Sequence, residues 1–324
     1  MVDSTANPLD LKNPVICVVG PTASGKTDLA QELAVLLDGE VVSADSMQVY
    51  RGMDIGTGKL AAAERKVTHH GFDLIDPGQP FSAALFQDYS RRCFCDIESR
   101  GKRSVLAGGT GFYVRAAIDA YDFPKGEQAD NPVRVQWNRY AQEHGAHELW
   151  LRLNELDPES AAVIPERDVK RLVRAFELIE DGTTYAQQKR KLASIEQAVP
   201  AIFIGLAVDP DILRGRIRAR VDKMMEVGLV DEVRSLLDRG LREGITAPQA
   251  IGYKEIVAAL DGDCTLNEAV EQIKVSTCRY AKRQRTWFRK DKRIHWLCAD
   301  SGDTAALVTE SLLQIDRIKQ NFHR

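Results

Sequence analysis

The residues Gly20-Pro21-Thr22-Ala23-Ser24-Gly25-Lys26-Thr27 have the types and spacing of G-x-x-x-x-G-K-[ST], a loop that cradles phosphates. Its glycines let the backbone turn tightly and aim N–H groups inward at an anion. Lys26 supplies a point charge for an outer phosphate, and the Thr27 hydroxyl suits a magnesium ion. Asp45 ends the run Glu40-Val41-Val42-Ser43-Ala44, and Thr110 stands in Gly108-Gly109-Thr110-Gly111 after Ser104-Val105-Leu106-Ala107. Both fall where parallel strands of an open α/β sheet end, which is where such sheets bind ligands. Asp45 is therefore a candidate for chemistry, although a helix N-cap or an outer carboxylate of a magnesium site fits its position equally well. Thr110 reads either as an active-site hydroxyl or as an N-cap. Arg216 and Arg220 are four apart on an expected helix, so they share a face. Two guanidiniums there suit the paired oxygens of a diphosphate.

The elements that must position these groups follow from apolar patterning. Val15 to Val19 reads as a buried strand feeding the loop, and Leu29, Ala30, Leu33, Ala34, Leu36 and Leu37 mark the helix after it. Met47 to Lys59 mixes glycines with polar residues and reads as an exposed functional loop. Phe72-Asp73-Leu74-Ile75-Asp76 is expected to form a third strand, and Ser82 to Arg100 a helix with Ser82 as N-cap and Gly101 as stop. His69 and His70 alternate in direction if extended, so structural hydrogen bonding suits them better than shared metal ligation. The pattern breaks at Phe123-Pro124-Lys125-Gly126-Glu127, and helical periodicity then dominates to about 198. Ala201 to Ala207 resumes the sheet, Asp209-Pro210 opens a helix, and residues 221–293 are nearly all helical. Ile294 to Leu297 and a terminal helix close the chain. The expected fold class is thus α/β: a phosphate-loop parallel sheet flanked by helices, formed by residues 1–123 plus 199–324. A helical insertion domain occupies 124–198, and the C-terminal region is helical.

Composition narrows the setting. The 324 residues suffice for one large domain and a smaller one, with 44% apolar and 28% charged residues as in an ordinary globular protein. No apolar run approaches a membrane span, and Met1 to Asn13 lacks a signal core. The six cysteines are scattered, and Cys93 and Cys95 have the wrong spacing for a zinc knuckle, so reduced thiols in a cytoplasmic protein are expected. A net charge of -3 excludes a wholly basic nucleic-acid coat but not local patches. Two patches exist. Lys170-Arg171-Leu172-Val173-Arg174-Ala175-Phe176 forms an amphipathic helix with a basic face, which is solvation or nucleic-acid contact. From Lys274 to Arg293 nine basic residues face one acid, with Tyr280, Trp287 and Phe288 interleaved. Basic groups for phosphates and aromatic rings for unpaired bases are what single-stranded RNA recognition uses.

A GTPase would carry an N-K-x-D signature, which is absent, and a metabolite kinase needs neither the insertion nor the basic aromatic helix. The chain instead resembles the tRNA dimethylallyltransferases (isopentenyl-tRNA transferases). The resemblance rests on residues 20–27, on Ser43 to Lys59, on Gly108-Gly109-Thr110-Gly111-Phe112-Tyr113 and on Lys170 to Ala175. Ile251-Gly252-Tyr253-Lys254-Glu255 and Tyr280 to Phe288 complete it, and the motifs run in family order from about 15 to 297. Ser43-Ala44 and Gln249-Ala250-Ile251 depart slightly from the common pattern. The related adenylate isopentenyltransferases share the loop but would not need the basic region near 270–293.

The resemblance implies transfer of a dimethylallyl group from its diphosphate to N6 of adenosine 37 in the tRNA anticodon stem-loop, by a monomer using Mg2+. It implies Asp45 as base, Thr110 beside the reacting groups and Arg220 on the leaving diphosphate. Gly20, Pro21, Thr22, Ala23, Ser24, Gly25, Lys26 and Thr27 would hold that diphosphate, with Thr27 also at the metal. Contacts to tRNA are implied for Asp45, Ser46, Met47 and Gln48, for Arg134, and for Lys170, Arg171, Leu172, Val173 and Arg174. They are also implied for Gln249, Ala250, Ile251, Gly252, Tyr253 and Lys254, and for Lys282 and Arg283. ATP-binding is ascribed to such proteins because of the loop; the chemistry favours the prenyl diphosphate as occupant and makes ATP incidental. The contrasting expectation is a phosphotransferase or a non-catalytic RNA-binding NTPase.

Overall fold

The computed structural model describes residues 9, 11–123 and 131–322. In chain order the elements are β1 (Val15–Val19), α1 (Lys26–Leu36), β2 (Gly39–Ser43), β3 (His69–His70), α2 (Ala83–Ser99), β4 (Arg103–Gly108) and α3 (Gly111–Ile118). Four helices follow: α4 (Pro132–Leu156), α5 (Pro158–Val163), α6 (Val169–Glu180) and α7 (Tyr185–Ala193). The chain then returns through β5 (Ala201–Ala207), α8 (Pro210–Glu226), α9 (Leu229–Leu237), α10 (Tyr253–Leu260), α11 (Leu266–Phe288), β6 (Ile294–Cys298) and α12 (Thr304–Phe322).

The six strands form one sheet in the order β3-β2-β4-β1-β5-β6, and every pairing is parallel. Alternate residues of β1 serve opposite faces, as strand geometry requires. Ile16 and Val18 pack on one face with Leu29 and Leu33 of α1, Leu213 and Ile217 of α8, and Leu307 of α12. Val15, Cys17 and Val19 pack on the other with Phe86 and Phe94 of α2 and Val114 of α3. The adjacent strands β1 and β4 therefore send their following helices to opposite faces. That reversal opens a crevice at their carboxyl ends, the place where such sheets bind ligands.

Two compact units emerge: the described residues up to Asp119 with those from Gln197 onward, and Ala120–Glu196. The smaller one has its own core, in which Leu149, Leu153, Leu172, Val173 and Phe176 are buried and Trp137 stacks on Phe176. Its start was expected at 124, within a segment (124–130) that lies outside the described residues. In the larger unit, Asp119 and Gln197 form an antiparallel bridge. Buried Asp119 is held by Arg115 Nε at 2.6 Å and Arg293 Nη1 at 2.6 Å, and the Arg293 guanidinium lies over Phe203.

The third strand differs from expectation. It is His69–His70, and Phe72 to Asp76 contributes only an isolated parallel bridge, Ile75 with Tyr50, next to Asp73, which adopts a left-handed φ of 56° and gives its carboxylate to Lys59 at 2.7 Å. Leu149, Leu151 and Leu153 alternate in sequence as a strand would, but they belong to α4. Ser82 caps α2 by accepting from Leu85 N, as expected. All six cysteines are free, and among the described residues no helix is long and apolar enough to cross a membrane.

Glu40 of β2 is buried and accepts from Arg100 Nη2 at 2.8 Å, with His70 Nε2 at 2.8 Å and Lys102 Nζ at 3.2 Å. The Arg100 hydrogen bond pulls its carboxyl from 4.5 down to about 2. A carboxyl depressed on folding contributes stability above its unfolded value and loses it as the pH falls through the folded one. Urea midpoints should therefore drop as the pH falls from about 4.5 towards 2, and Glu40→Gln should flatten that part of the curve.

Candidate active site

The phosphate loop leaves β1 at Gly20 and enters α1 at Lys26, so the first N–H groups of α1, free of helical partners, face the crevice. Ala23 (φ 61°) and Gly25 (φ 90°) both take left-handed backbone, which for an alanine costs about 1 kcal/mol and is sustained by the surrounding fold. The Ser24 hydroxyl is buried without a hydrogen-bond partner, an orphan suited to an anionic oxygen. Lys26 Nζ donates to Pro21 O at 2.6 Å. Burial and the nearby Arg220 guanidinium lower Lys26 from 10.5 to about 7, against the pull of Asp45.

Arg220 reaches in from α8. It donates to Thr22 Oγ1 at 3.4 Å and to Thr57 O at 3.3 Å, and its Nη2 end closes on Gly58. A Cβ on Gly58 would stand 1.8 Å from Arg220 Nη2, and φ is +61°, so any other residue there would be strained and would push the Arg220 guanidinium aside. The 54–58 loop is itself pinned by Glu232 of α9, which accepts from the N–H groups of Asp54, Ile55 and Gly56 and from Tyr253 Oη at 2.6 Å. Nothing in the local sequence marks Glu232; only its tertiary partners do.

Asp45 follows β2. Its Oδ1 accepts from Met47 N at 2.9 Å, and burial pushes the carboxyl above its ordinary range while Met47 N–H, Lys26 and Arg220 oppose that rise. Thr110 does not use its hydroxyl to cap α3; instead its Oγ1 accepts from Ser46 N at 3.1 Å. Asp45 and Thr110, from two different strand ends, thus share one short loop.

Two cavities meet at Arg220. One, of about 510 Å³, is lined by Ser24 to Asp28, Lys59, Glu64 and Arg216 and is the charged side. The other, of about 260 Å³, is lined by Ile217, Val221, Met224, Ile251 and Ile273 together with Asp45 and Tyr280. Arg216 borders the charged cavity, but its guanidinium donates to Ala299 O at 2.9 Å and Asp300 O at 2.6 Å, so it braces the turn before α12 rather than pairing with Arg220.

Several residues expected to touch RNA are committed elsewhere. Leu172 and Val173 are buried in the core of the helical unit, and Tyr253 is fully buried on Glu232. Gln48 spends its amide on Ser43 Oγ (2.7 Å) and on Thr57 O (3.3 Å). Arg134 donates to buried Glu177 at 2.6 Å and 3.1 Å, joined by Arg174 at 2.9 Å, so both neutralise that carboxylate. Phe288, read as a stacking ring, is core. Lys170, Arg171, Gln249, Lys254, Lys282, Arg283 and Trp287 remain exposed.

Residues 48–291 match the model of the IPP transferase family, and residues 13–72 match that of isopentenyl transferases. The chain is 43% identical to the tRNA dimethylallyltransferase of Rhodococcus jostii (strain RHA1) over 311 residues, covering 95% of this chain and 99% of that one. It is 43% identical to the tRNA dimethylallyltransferase of Bacillus subtilis (strain 168) over 287 residues, 88% of this chain and 90% of that one. Among solved structures, the tRNA isopentenylpyrophosphate transferase of Bacillus halodurans superposes with a TM-score of 0.68 at 38% identity, covering 97% of this chain and 100% of that one. A eukaryotic dimethylallyltransferase caught acting on tRNA superposes with a TM-score of 0.78 at 26% identity, covering 96% and 79%.

Because burial holds Lys26 near neutrality at about pH 7, an incoming diphosphate must recharge it above that pH. Calorimetric titration with inorganic diphosphate at pH 8, in buffers of different ionisation heat, should show proton uptake that Lys26→Met lacks. Affinity should weaken as the pH rises past about 7.

Proposed function

The chain belongs to the IPP transferase family, the tRNA dimethylallyltransferases, and from that membership we propose how its own residues carry out prenyl transfer to tRNA. The donor is dimethylallyl diphosphate. Its diphosphate lies in the charged cavity on the N–H groups of the phosphate loop, with Lys26, Arg220 and the Ser24 hydroxyl around it. Its five-carbon chain lies in the apolar cavity beyond Arg220. The observation that carries this reading is the junction itself: a charged and an apolar cavity meet at Arg220, and Asp45 stands on the apolar side. A phosphoryl-transfer enzyme needs no apolar room past its phosphate cradle.

The acceptor is N6 of adenosine 37, turned out of the anticodon loop at a cost of roughly a few kcal/mol. The amine attacks the carbon attached to the diphosphate, a C–N bond forms, and the C–O bond breaks with its electron pair leaving on the diphosphate. Arg220 and Lys26 stabilise that departing charge. Asp45 takes the amine proton, and Thr110, hydrogen-bonded to the loop after Asp45, orients the reacting groups. Burial raises the Asp45 carboxyl above its ordinary range, which makes it a stronger base than an exposed carboxylate.

Among the described residues no cluster of three or more His, Cys, Asp or Glu side chains could hold a metal ion. Thr27 and Ser24 both line the charged cavity, and their hydroxyls, that of Ser24 buried without a partner, are oxygen donors of the kind that fits magnesium. Thr27 would hold the ion together with the substrate's own phosphate oxygens, and the ion would supply charge neutralisation there. Lys170 and Arg171 of α6, Gln249, Lys254, and Lys282 and Arg283 of α11 are the exposed groups assigned to tRNA. Arg283 also borders the apolar cavity, which puts one RNA-binding cation at its mouth.

Incubation with magnesium, dimethylallyl diphosphate and unmodified tRNA should yield prenylated adenosine, read by nucleoside mass. Absence of that product, with phosphate released from ATP instead, would favour a phosphotransferase or NTPase. Asp45→Asn should slow single-turnover transfer by about 10²- to 10⁴-fold while tRNA affinity stays within about threefold. A variant that loses tRNA binding but keeps the rate would remove Asp45 from the role of base.

A further inference from the structure

Gln284 is buried in α11, and its amide spans two loops that leave neighbouring strands. Its Oε1 accepts from Thr22 N at 2.8 Å, in the phosphate loop after β1. Its Nε2 donates to Gly109 O at 2.9 Å, in the glycine turn after β4. The approach is close: a Cβ on Gly109 would stand 2.1 Å from Gln284 Nε2, and one on Gly111 would stand 2.1 Å from the Trp287 ring. One helical turn earlier, Tyr280 faces both Thr110 and Gln284. Ala281 packs in the core on one face of the sheet and Phe288 in the core on the other, so α11 crosses the strand ends and closes the crevice. Lys282 and Arg283 point outward from the same helix.

A carboxamide is suited to this place because it presents an acceptor and a donor at fixed separation in one plane. A hydroxyl is too short to reach both loops, and an amine offers no acceptor. We propose that Gln284 is a positioning residue for the anion cradle, setting the gap between the Gly20–Thr27 loop and the Gly108–Gly111 turn and so the affinity for the diphosphate donor. The same helix thereby has two separable tasks, with RNA contact on its exposed face and cradle geometry on its buried one. The inference rests on the diphosphate reading of the cradle given above.

The test compares Gln284→Met, of equal length without polar atoms, with Gln284→Asn, which keeps the amide one methylene short. Calorimetry with inorganic diphosphate and magnesium gives cradle affinity, filter binding gives tRNA affinity, and steady-state kinetics give KM for dimethylallyl diphosphate. Gln284→Met should weaken diphosphate about tenfold and raise that KM in parallel, with tRNA affinity within about twofold. Gln284→Asn should show a smaller loss of the same kind, and Lys282→Ala should show the reverse pattern. Diphosphate affinity unchanged in Gln284→Met, or a matching fall in tRNA affinity, overturns the proposal. If Gln284→Met does not fold, Gln284→Asn decides: a lower melting temperature with unchanged diphosphate affinity marks a structural residue only. Failure of the underlying reading shows separately, in a parent protein that transfers no prenyl group or binds no diphosphate.

Discussion

Everything in the larger unit depends on β1 and β4 lying side by side while releasing their chains to opposite faces of the sheet. That divergence leaves a gap no side chain of the sheet can fill, and backbone N–H groups and short polar side chains line it. Both turns are glycine-rich because two backbones and a crossing helix converge there. Once the gap exists, the remaining groups reach it from a distance: Arg220 from α8, Asp45 from the end of β2, Gln284 and Tyr280 from α11.

Charge in that gap is finely balanced. Lys26, Arg220 and Asp45 sit close enough to shift one another, in surroundings that resist all three charges. Charging Lys26 beside Arg220 sets two cations against one carboxylate, an excess of positive charge. A dianion or trianion would resolve that excess, which is the part proposed above for the donor's diphosphate. The carboxylate keeps its place through a backbone N–H from Met47, which together with the two cations tempers the rise that burial gives its pKa.

Much of this was legible in the chain before folding. The phosphate loop, Asp45, Thr110 and the helix bearing Arg220 announce themselves because their chemistry and their local geometry use the same residues. Leu172, Val173, Gln48, Arg134 and Tyr253 stand in motifs implied to meet RNA, yet their side chains have partners inside the protein, because a motif shows that a stretch matters without showing which side chains face inward. In α6 the amphipathic period read from the sequence separates exposed Lys170 and Arg171 from buried Leu172 and Val173. Glu232 and Gln284 offered no such clue, since their partners lie 176 and 262 residues away in the chain. The third strand lies at His69–His70 rather than at Phe72 to Asp76, where Asp73 is held by Lys59.

The antiparallel bridge between Asp119 and Gln197 has a consequence for how the helical unit can vary. The helical unit enters and leaves by a single doorway, locked by Arg293 on the side of the sheet. To the sheet, everything beyond that doorway is one loop, whatever its length. The entropy of closing a loop grows only with the logarithm of its size. Those helices can be lengthened, trimmed or rebuilt at little entropic cost, and no strand need change its register to accommodate them.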